Sequence, residues 1–285
     1  MAKDRDAVVI YARSFVEFFG SDCGIRLDAI AKTIGLTVDE VAAKTFDGAL
    51  LRVAGKPLGK VVLNADIREE GRRLFTLAHE IGHYVLPSHA KTGSVCRTRE
   101  IQNWAPGLPE KELEANRFAA EILMPRDQIS TQVRMEPSFR VIRLIAQRFH
   151  TSLTASTYRL VDLSSYRIAM VWCTAGRRIW YKPSDEFGRA VEIGPVSPHS
   201  FAADCFRGEA VPGHPESVPA TAWLYGSKLI EGARIWEESV PVPYYDSVLS
   251  LLYIRDPVEE LEESESDAEL DPVEFTLARK HWPTK

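Results

Sequence analysis

The residues most able to do chemistry form one short run, His79-Glu80-Ile81-Gly82-His83, which has the pattern HExxH. Two histidines four residues apart project from the same side of a helix, so both imidazoles can reach one metal ion at about 2.0–2.1 Å. Glu80 would lie beside that metal, where a carboxylate can take a proton from water and later pass it to a leaving amine. The run therefore predicts a metal-dependent hydrolase, with His79 and His83 as ligands and Glu80 as general base.

A catalytic zinc ion usually has three protein ligands and keeps one position for water. The next helix along the chain offers four carboxylates, those of Glu110, Glu112, Glu114 and Glu121. Glu110 and Glu112 stand in its first turn, where acidic side chains are explained by the helix dipole. Glu114 and Glu121 are two turns apart and both flank the apolar stripe of the helix. Spacing alone leaves the choice between these two open.

Two helices must position these residues. Apolar residues at helical spacing predict one helix over about 68–86, which Pro87 ends, and another over about 110–123, which Pro125 ends. The polar stretch 87–109 between them predicts a long loop, and loops of this length are often functional.

The remaining elements follow from the same periodicities. Upstream, the sequence predicts helices over 7–19 and 27–36 and strands over 49–53 and 60–64. Downstream, it predicts two helices over 138–163 with Ser152 as a cap, a short helix near 199–206, and five strands at 167–173, 177–182, 218–225, 234–242 and 247–255.

Two runs together resemble a known family. The first is Phe75-Thr-Leu-Ala-His-Glu-Ile-Gly-His83, and the second is Glu114-Ala-Asn-Arg-Phe-Ala-Ala-Glu-Ile-Leu-Met-Pro125. In this order they resemble the ImmA/IrrE family of zinc-dependent metallopeptidases, and the resemblance covers about residues 25–165.

The resemblance implies roles that spacing does not. It implies His79, His83 and Glu114 as metal ligands, Glu80 as general base, and Glu121 as a residue that packs beside the ligands. The implied cofactor is Zn²⁺, with Mn²⁺ as another divalent candidate. The implied partner is a helix-turn-helix repressor of the XRE type, whose cleavage would induce stress-response or mobile-element genes.

Residues 138–163 allow a second interpretation, a DNA-binding transcription regulator with a sensory or structural metal site. The segment 134–167 is rich in arginine and has a local charge of +4, which favours contact with phosphates. No residue that would read a base edge can be named, so a helix pair that packs on the peptidase is the favoured reading.

Composition excludes several classes of protein. The 285 residues are 45% hydrophobic and 26% charged, and no apolar run is long enough to span a bilayer. The start lacks the apolar stretch of a secretory signal, so a cytoplasmic protein without membrane contact is expected. Four widely spaced cysteines predict reduced thiols. Residues 256–285 carry ten acids and three bases, a net −7 that leaves +2 for the remainder.

The predicted fold class is α+β: a mostly helical, gluzincin-like metallopeptidase core with a small sheet, helix-turn-helix-like helices and a C-terminal β-rich α+β domain. The predicted divisions are a zinc peptidase domain over 1–130, the helical region over 131–165, the C-terminal domain over 166–255 and an acidic, flexible tail over 256–285. Proteins of the family that this sequence resembles carry a GAF-like sensory domain at this end. The sequence does not decide whether the C-terminal domain here is of that type.

Overall fold

Eight helices and ten strands occur in the part of the chain that the computed structural model describes, which comprises residues 6–20, 24, 26–53, 56–89, 94–96, 109–225, 232–242 and 246–255. The helices are α1 (Ala7–Phe19), α2 (Leu27–Thr33), α3 (Glu70–Val85), α4 (Glu110–Leu123), α5 (Arg126–Val133), α6 (Phe139–Phe149), α7 (Leu153–Leu163) and α8 (Phe201–Arg207). The strands are β1 (Leu36–Val41), β2 (Gly48–Arg52), β3 (Gly59–Asn64), β4 (Ser94–Cys96), β5 (Ile168–Thr174), β6 (Arg177–Pro183), β7 (Gly194–Pro195), β8 (Glu216–Pro219), β9 (Arg234–Val242) and β10 (Ser247–Tyr253). The α+β class is confirmed, and the predicted tail over 256–285 lies outside the described residues.

A small sheet lies beside α3, with strand order β1-β3-β2-β4. β1 runs parallel to β3, whereas β2 is antiparallel to both of its neighbours. The sequence predicts β2 and β3 but misses β1, because only the first residue of that strand is buried and the rest carry no apolar alternation. β4 and a 3-10 turn at Pro87–His89 interrupt the stretch that was predicted as a loop.

Helix α3 is buried on all sides over ten consecutive residues, from Leu74 to His83. The small sheet covers one side of α3, and α4 packs closely on another. Gly82 permits this approach, since a Cβ atom there would lie 3.0 Å from the Phe118 ring and 3.4 Å from the Cα of Ala115. The lack of a side chain at Gly82, within the HExxH run, thus allows α3 and α4 to lie close together.

The predicted helix pair is present as α6 and α7, and Ser152 caps α7 by accepting a hydrogen bond from the backbone N–H of Ala155 at 3.1 Å. None of the eleven residues of α7 is exposed, because this helix packs between α5, α6 and strands β5 and β6. The turn between the helices lies against α3, where a Cβ atom at Gly71 would stand 2.4 Å from the backbone nitrogen of Ser152. In this arrangement no residue of α7 is exposed, and the turn before it packs against the HExxH helix.

The C-terminal sheet is antiparallel throughout, with strand order β7-β6-β5-β10-β9-β8. The strand predicted over 218–225 is wrong beyond Pro219, where a 3-10 turn follows. The two cysteines whose side chains are described, Cys173 and Cys205, are free thiols. Burial raises the pKa of Cys173 to about 12, which leaves it protonated and unreactive.

Residues 1–255 form one compact unit. Its apolar core is continuous from Phe15 in α1, through Leu77 and Phe118, to Met170 and Leu251 in the C-terminal sheet. The divisions at 130/131 and 165/166 remain predictions. Within the described residues, every helix is too short or too polar to cross a bilayer.

Candidate metal centre

The HExxH residues lie in the buried half of α3, where His79 and Glu80 have no exposed surface and His83 is 3% exposed. Their position follows from the local sequence, since His79 and His83 are one helical turn apart and face the same neighbour, α4. The two Nε2 atoms are 3.0 Å apart. The predicted pairing of these imidazoles is therefore found in the structure.

Glu112 of α4 supplies a third donor atom. Its Oε2 lies 3.1 Å from the Nε2 of His79 and 3.3 Å from the Nε2 of His83. Two nitrogens and one carboxylate oxygen are a usual donor set for catalytic zinc. In the described part of the chain, these are the His, Cys, Asp or Glu side chains whose donor atoms come close enough to share one metal ion.

The separations of the three donor atoms fit a tetrahedral ion. Ligand bonds of about 2.0–2.1 Å in tetrahedral geometry require donor atoms ~3.3 Å apart. The separations here are 3.0, 3.1 and 3.3 Å, so an ion can be accommodated with movements of a few tenths of an ångström. The three residues present therefore fit a tetrahedral divalent metal, with the fourth position left for water.

Each ligand histidine has a hydrogen-bond partner at its Nδ1 atom, which leaves its Nε2 atom available to bind a metal. His79 donates its Nδ1–H to the Oδ1 of Asn116 at 2.8 Å, since a carbonyl oxygen can only accept. The Nδ1 of His83 lies 2.9 Å from the Nδ1 of His89. A neutral histidine whose Nδ1 carries the proton presents a lone pair at Nε2, which is the atom a metal needs.

The carboxylate of Glu112 is held in its charged form. Burial by itself would raise the pKa of Glu112, but its close contacts with His79 and His83 outweigh burial. The pKa of Glu112 consequently lies well below its ordinary value, and the carboxylate is ionised and ready to ligate. Burial also lowers the pKa of His89, which favours its neutral form.

The Glu80 carboxylate lies against the small sheet. A Cβ atom at Gly48 of β2 would come within 2.8 Å of the Glu80 Oε1 and 2.6 Å of the Thr76 methyl group. The backbone of β2 therefore forms one wall of the space around the Glu80 carboxylate. Asp47, the residue before Gly48, is fixed by an ion pair with Arg72 at 2.7 Å.

The other two carboxylates considered in the sequence lie elsewhere. The resemblance implies Glu114 as the third ligand, but its Oε2 accepts hydrogen bonds from His89 at 2.8 Å and Ser88 at 2.9 Å. Glu121 is buried and pairs with Arg159 of α7, which also donates to the Met124 carbonyl at 3.0 Å. The geometry thus brings Glu112, and neither Glu114 nor Glu121, to the two histidines.

Sequence reasoning missed three residues of this site. Glu112 and Asn116 could have been found, because Glu112, Ala115, Asn116 and Ala119 follow the i, i+3, i+4, i+7 spacing of one helix face. His89 carries no such signal. It follows the end of α3, and only the fold of the Pro87–His89 turn brings it back to His83.

Part of the chain is similar to known metallopeptidases. Residues 31–161 match the model of the M78 peptidase family, described as the IrrE N-terminal-like domain. The chain is also 29% identical over 139 residues to the radiation response metalloprotease IrrE of Deinococcus radiodurans. That match covers 47% of this chain and 39% of the relative, so the chain spans about two fifths of the length of the curated relative it matches.

The matched region contains both helices that form the centre, α3 and α4, together with the supporting pair α6 and α7. The HExxH run, the carboxylate of the second helix and the family match point to the same class of protein. Through residues 31–161, the chain is therefore similar to the peptidase domain of IrrE-like metalloproteases.

Proposed function

We propose that this protein is a zinc-dependent endopeptidase whose metal ligands are His79, His83 and Glu112. The observation that carries the proposal is the set of three donor atoms at tetrahedral separations, with both histidines presenting Nε2. Two imidazoles and one carboxylate favour Zn²⁺. Mn²⁺ remains the second candidate, since carboxylate and water also suit that ion.

Glu80 is the proposed general base. A divalent ion in this site supplies Lewis-acid activation of water and of the peptide carbonyl. The Glu80 carboxylate accepts the proton from the attacking water and then delivers it to the amine of the departing peptide. Its burial beside Gly48 keeps it in place and limits competing water.

The proposed substrate is a helix-turn-helix repressor of the XRE type, cleaved in the cytoplasm to induce stress-response or mobile-element genes. The match of residues 31–161 to the IrrE N-terminal-like domain supports this choice, and the relative in Deinococcus radiodurans is by its name a radiation response metalloprotease. DNA binding through residues 138–163 receives no support from the geometry, because α7 has no exposed face and Arg159 is buried in an ion pair.

Calorimetric titration of chelator-stripped protein with ZnCl₂ tests the ligand set. We expect one tight site per chain in the wild type. Glu112→Ala should abolish tight binding, whereas Glu110→Ala, a change in the same helical turn at a carboxylate paired with Arg117, should leave it unchanged. Tight binding by Glu112→Ala equal to that of the wild type would refute the ligand assignment.

The role of Glu80 is tested by the Glu80→Gln variant. It should bind zinc as the wild type does, and its cleavage of purified XRE-type repressors should fall by about 10²–10⁴-fold, the usual contribution of a general base. Gel electrophoresis and mass spectrometry of the fragments measure the cleavage. Cleavage at the wild-type rate would show that Glu80 is not the base.

A further inference from the structure

A chain of hydrogen bonds continues from the metal centre to the protein surface. The Nδ1 of His83 is 2.9 Å from the Nδ1 of His89, and the Nε2 of His89 is 2.8 Å from the Oε2 of Glu114. Ser88 donates to the same carboxylate oxygen at 2.9 Å. His83 and His89 are buried, while the side chain of Glu114 is 22% exposed.

The direction of each hydrogen bond follows from the last group in this chain. An ionised carboxylate can only accept, so the His89 Nε2 must carry the proton that it donates to Glu114. A neutral His89 then has a lone pair at Nδ1, which accepts the Nδ1–H of His83. The lone pair of His83 consequently lies at Nε2, opposite His79 and Glu112.

The two ligand histidines are thus held in different ways. His79 donates to a neutral amide, that of Asn116, which is itself fully buried. His83 donates to a histidine that is polarised by a negative charge, and such partners orient a metal ligand and raise its basicity. Because His89 has no exposed surface, solvent does not offer His83 a competing acceptor at this position.

We propose that His89 and Glu114 are positioning residues, which hold His83 in its Nδ1–H tautomer and thereby prepare its Nε2 to bind the metal. One consequence of this proposal, the effect on metal affinity, rests on the proposed function. Its first claim, the tautomer of His83, concerns the protein without metal and can be tested separately. Glu114 then matters to the site through His89 and does not ligate.

Nuclear magnetic resonance tests the tautomers directly. In long-range ¹H–¹⁵N correlation spectra of the full-length, metal-free protein, we expect a protonated Nδ1 and an unprotonated Nε2 for His83. For His89 we expect the reverse arrangement. A His83 that carries its proton on Nε2 in the wild type would overturn the proposal, whatever the protein does with metal.

Two substitutions at His89 separate the hydrogen bond from the shape of the side chain. His89→Phe retains a planar ring and removes both bonds, so we expect a mixture of His83 tautomers and zinc affinity lower by about 10–100-fold. In His89→Asn the amide oxygen takes the place of Nδ1 and can still accept from His83. This variant should keep the His83 tautomer and lose less affinity than His89→Phe.

Glu114→Gln tests the charge while leaving an acceptor for His89. We expect the tautomers to be retained and the zinc affinity to fall by up to about 10-fold, while Glu110→Gln, as matched control, changes neither. Equal zinc affinity and equal His83 spectra in the wild type, His89→Phe and Glu114→Gln would overturn the proposal. Should His89→Phe fail to fold, the His89→Asn and Glu114→Gln variants still test the proposal, because Glu114 is partly exposed. Wild-type protein with the expected tautomers but no zinc site would refute the proposed function alone.

Discussion

Gly48 shows how a single residue outside the HExxH run can control the proposed general base. A side chain at this position of β2 would meet Glu80 at 2.8 Å and Thr76 at 2.6 Å. Both distances are shorter than van der Waals contact allows, so the neighbours would have to move. Thr76 and Glu80 are one turn apart on a fully buried part of α3 and have little room to do so.

The Gly48→Ala variant should therefore lose activity and keep its metal. We expect peptide cleavage to fall by at least about 10-fold, because a displacement of 1 Å at a catalytic group can cost about 100-fold. The zinc affinity should stay within a few-fold of the wild type, since the three atoms nearest to the added Cβ belong to Thr76 and Glu80 and not to a ligand. Cleavage assays and zinc titrations measure the two effects.

Gly213→Ala is the matched control, because a Cβ atom there meets no other atom within 4 Å. It should leave both measurements unchanged. A Gly48→Ala variant with full activity would mean that the wall formed by β2 does not position Glu80.

At the scale of elements, α3 is held from three directions. Gly82 lets α4 approach, Gly71 lets the turn between α6 and α7 approach, and Arg52 of β2 donates to the backbone carbonyl of Tyr84 at 3.0 Å. The helix pair that resembles a DNA-binding motif in the sequence therefore serves as a support. An exposed basic face remains on α6, whereas no residue of α7 is exposed.

The Gly71→Ala variant tests this support. A Cβ atom would lie 2.4 Å from the backbone nitrogen of Ser152 and 2.7 Å from the carbonyl carbon of Thr151, and backbone cannot rotate away as a side chain can. Overpacking of this kind costs about 1–3 kcal/mol. Alanine regains at most about 1 kcal/mol of helix propensity over glycine, so with a clash at the upper end of that range we expect a net loss of about 2 kcal/mol.

Urea denaturation measures the loss of unfolding free energy. Glu70→Ala is the matched control in the same turn, because its exposed contact with His150 at 3.7 Å contributes little. If the two variants were equally stable, the α6–α7 turn would not be packed against α3 as described.

At the scale of the whole molecule, the peptidase part and the C-terminal sheet share buried structure. Neighbouring glutamates of β9 face opposite sides and accept from the starts of two helices. Glu237 accepts from the backbone N–H of Ala202 in α8 at 2.8 Å, and Glu238 accepts from that of Phe139 in α6 at 2.7 Å. The helix that supports α3 is thus itself fixed by the C-terminal sheet.

Glu238 makes the stability of this connection depend on pH. Burial raises the pKa of Glu238 above its ordinary 4.5, although the Phe139 N–H and the charges of Arg143 and His214 lower it in part. A raised pKa in the folded state means that the unfolded chain loses this proton more readily. The contribution of Glu238 to stability is therefore full below about pH 4.5 and is lost as pH rises through the folded-state pKa.

The Glu238→Gln variant removes this titration and can retain the bond to Phe139 through its amide oxygen. We expect its unfolding free energy, relative to the wild type, to rise between about pH 4 and pH 7, by about 1.4 kcal/mol for each unit of the raised pKa. Urea denaturation at a series of pH values measures the difference. A difference that is constant with pH, or falls, would contradict the assignment.

The sequence by itself determined the parts of this protein that depend on local periodicity. Helices 7–19 and 110–123 are found at the predicted boundaries, and the HExxH helix differs by one or two residues at its ends. The pairing of His79 with His83 follows from a spacing of one helical turn. The resemblance to a metallopeptidase family also came from short runs within these helices, because their chemistry is local.

Only the tertiary structure decided which carboxylate joins the histidines. Glu112 and Glu114 lie two residues apart on one helix, which places them about 200° apart around its axis, and both border its buried stripe. The spacing of Glu112, Ala115 and Asn116 defines one face of α4, but only the close contact at Gly82 shows that this face meets α3. His89 likewise reaches His83 only through the fold of the turn after α3. Local sequence fixes which direction each side chain takes from its own helix, whereas packing between helices decides what that side chain meets.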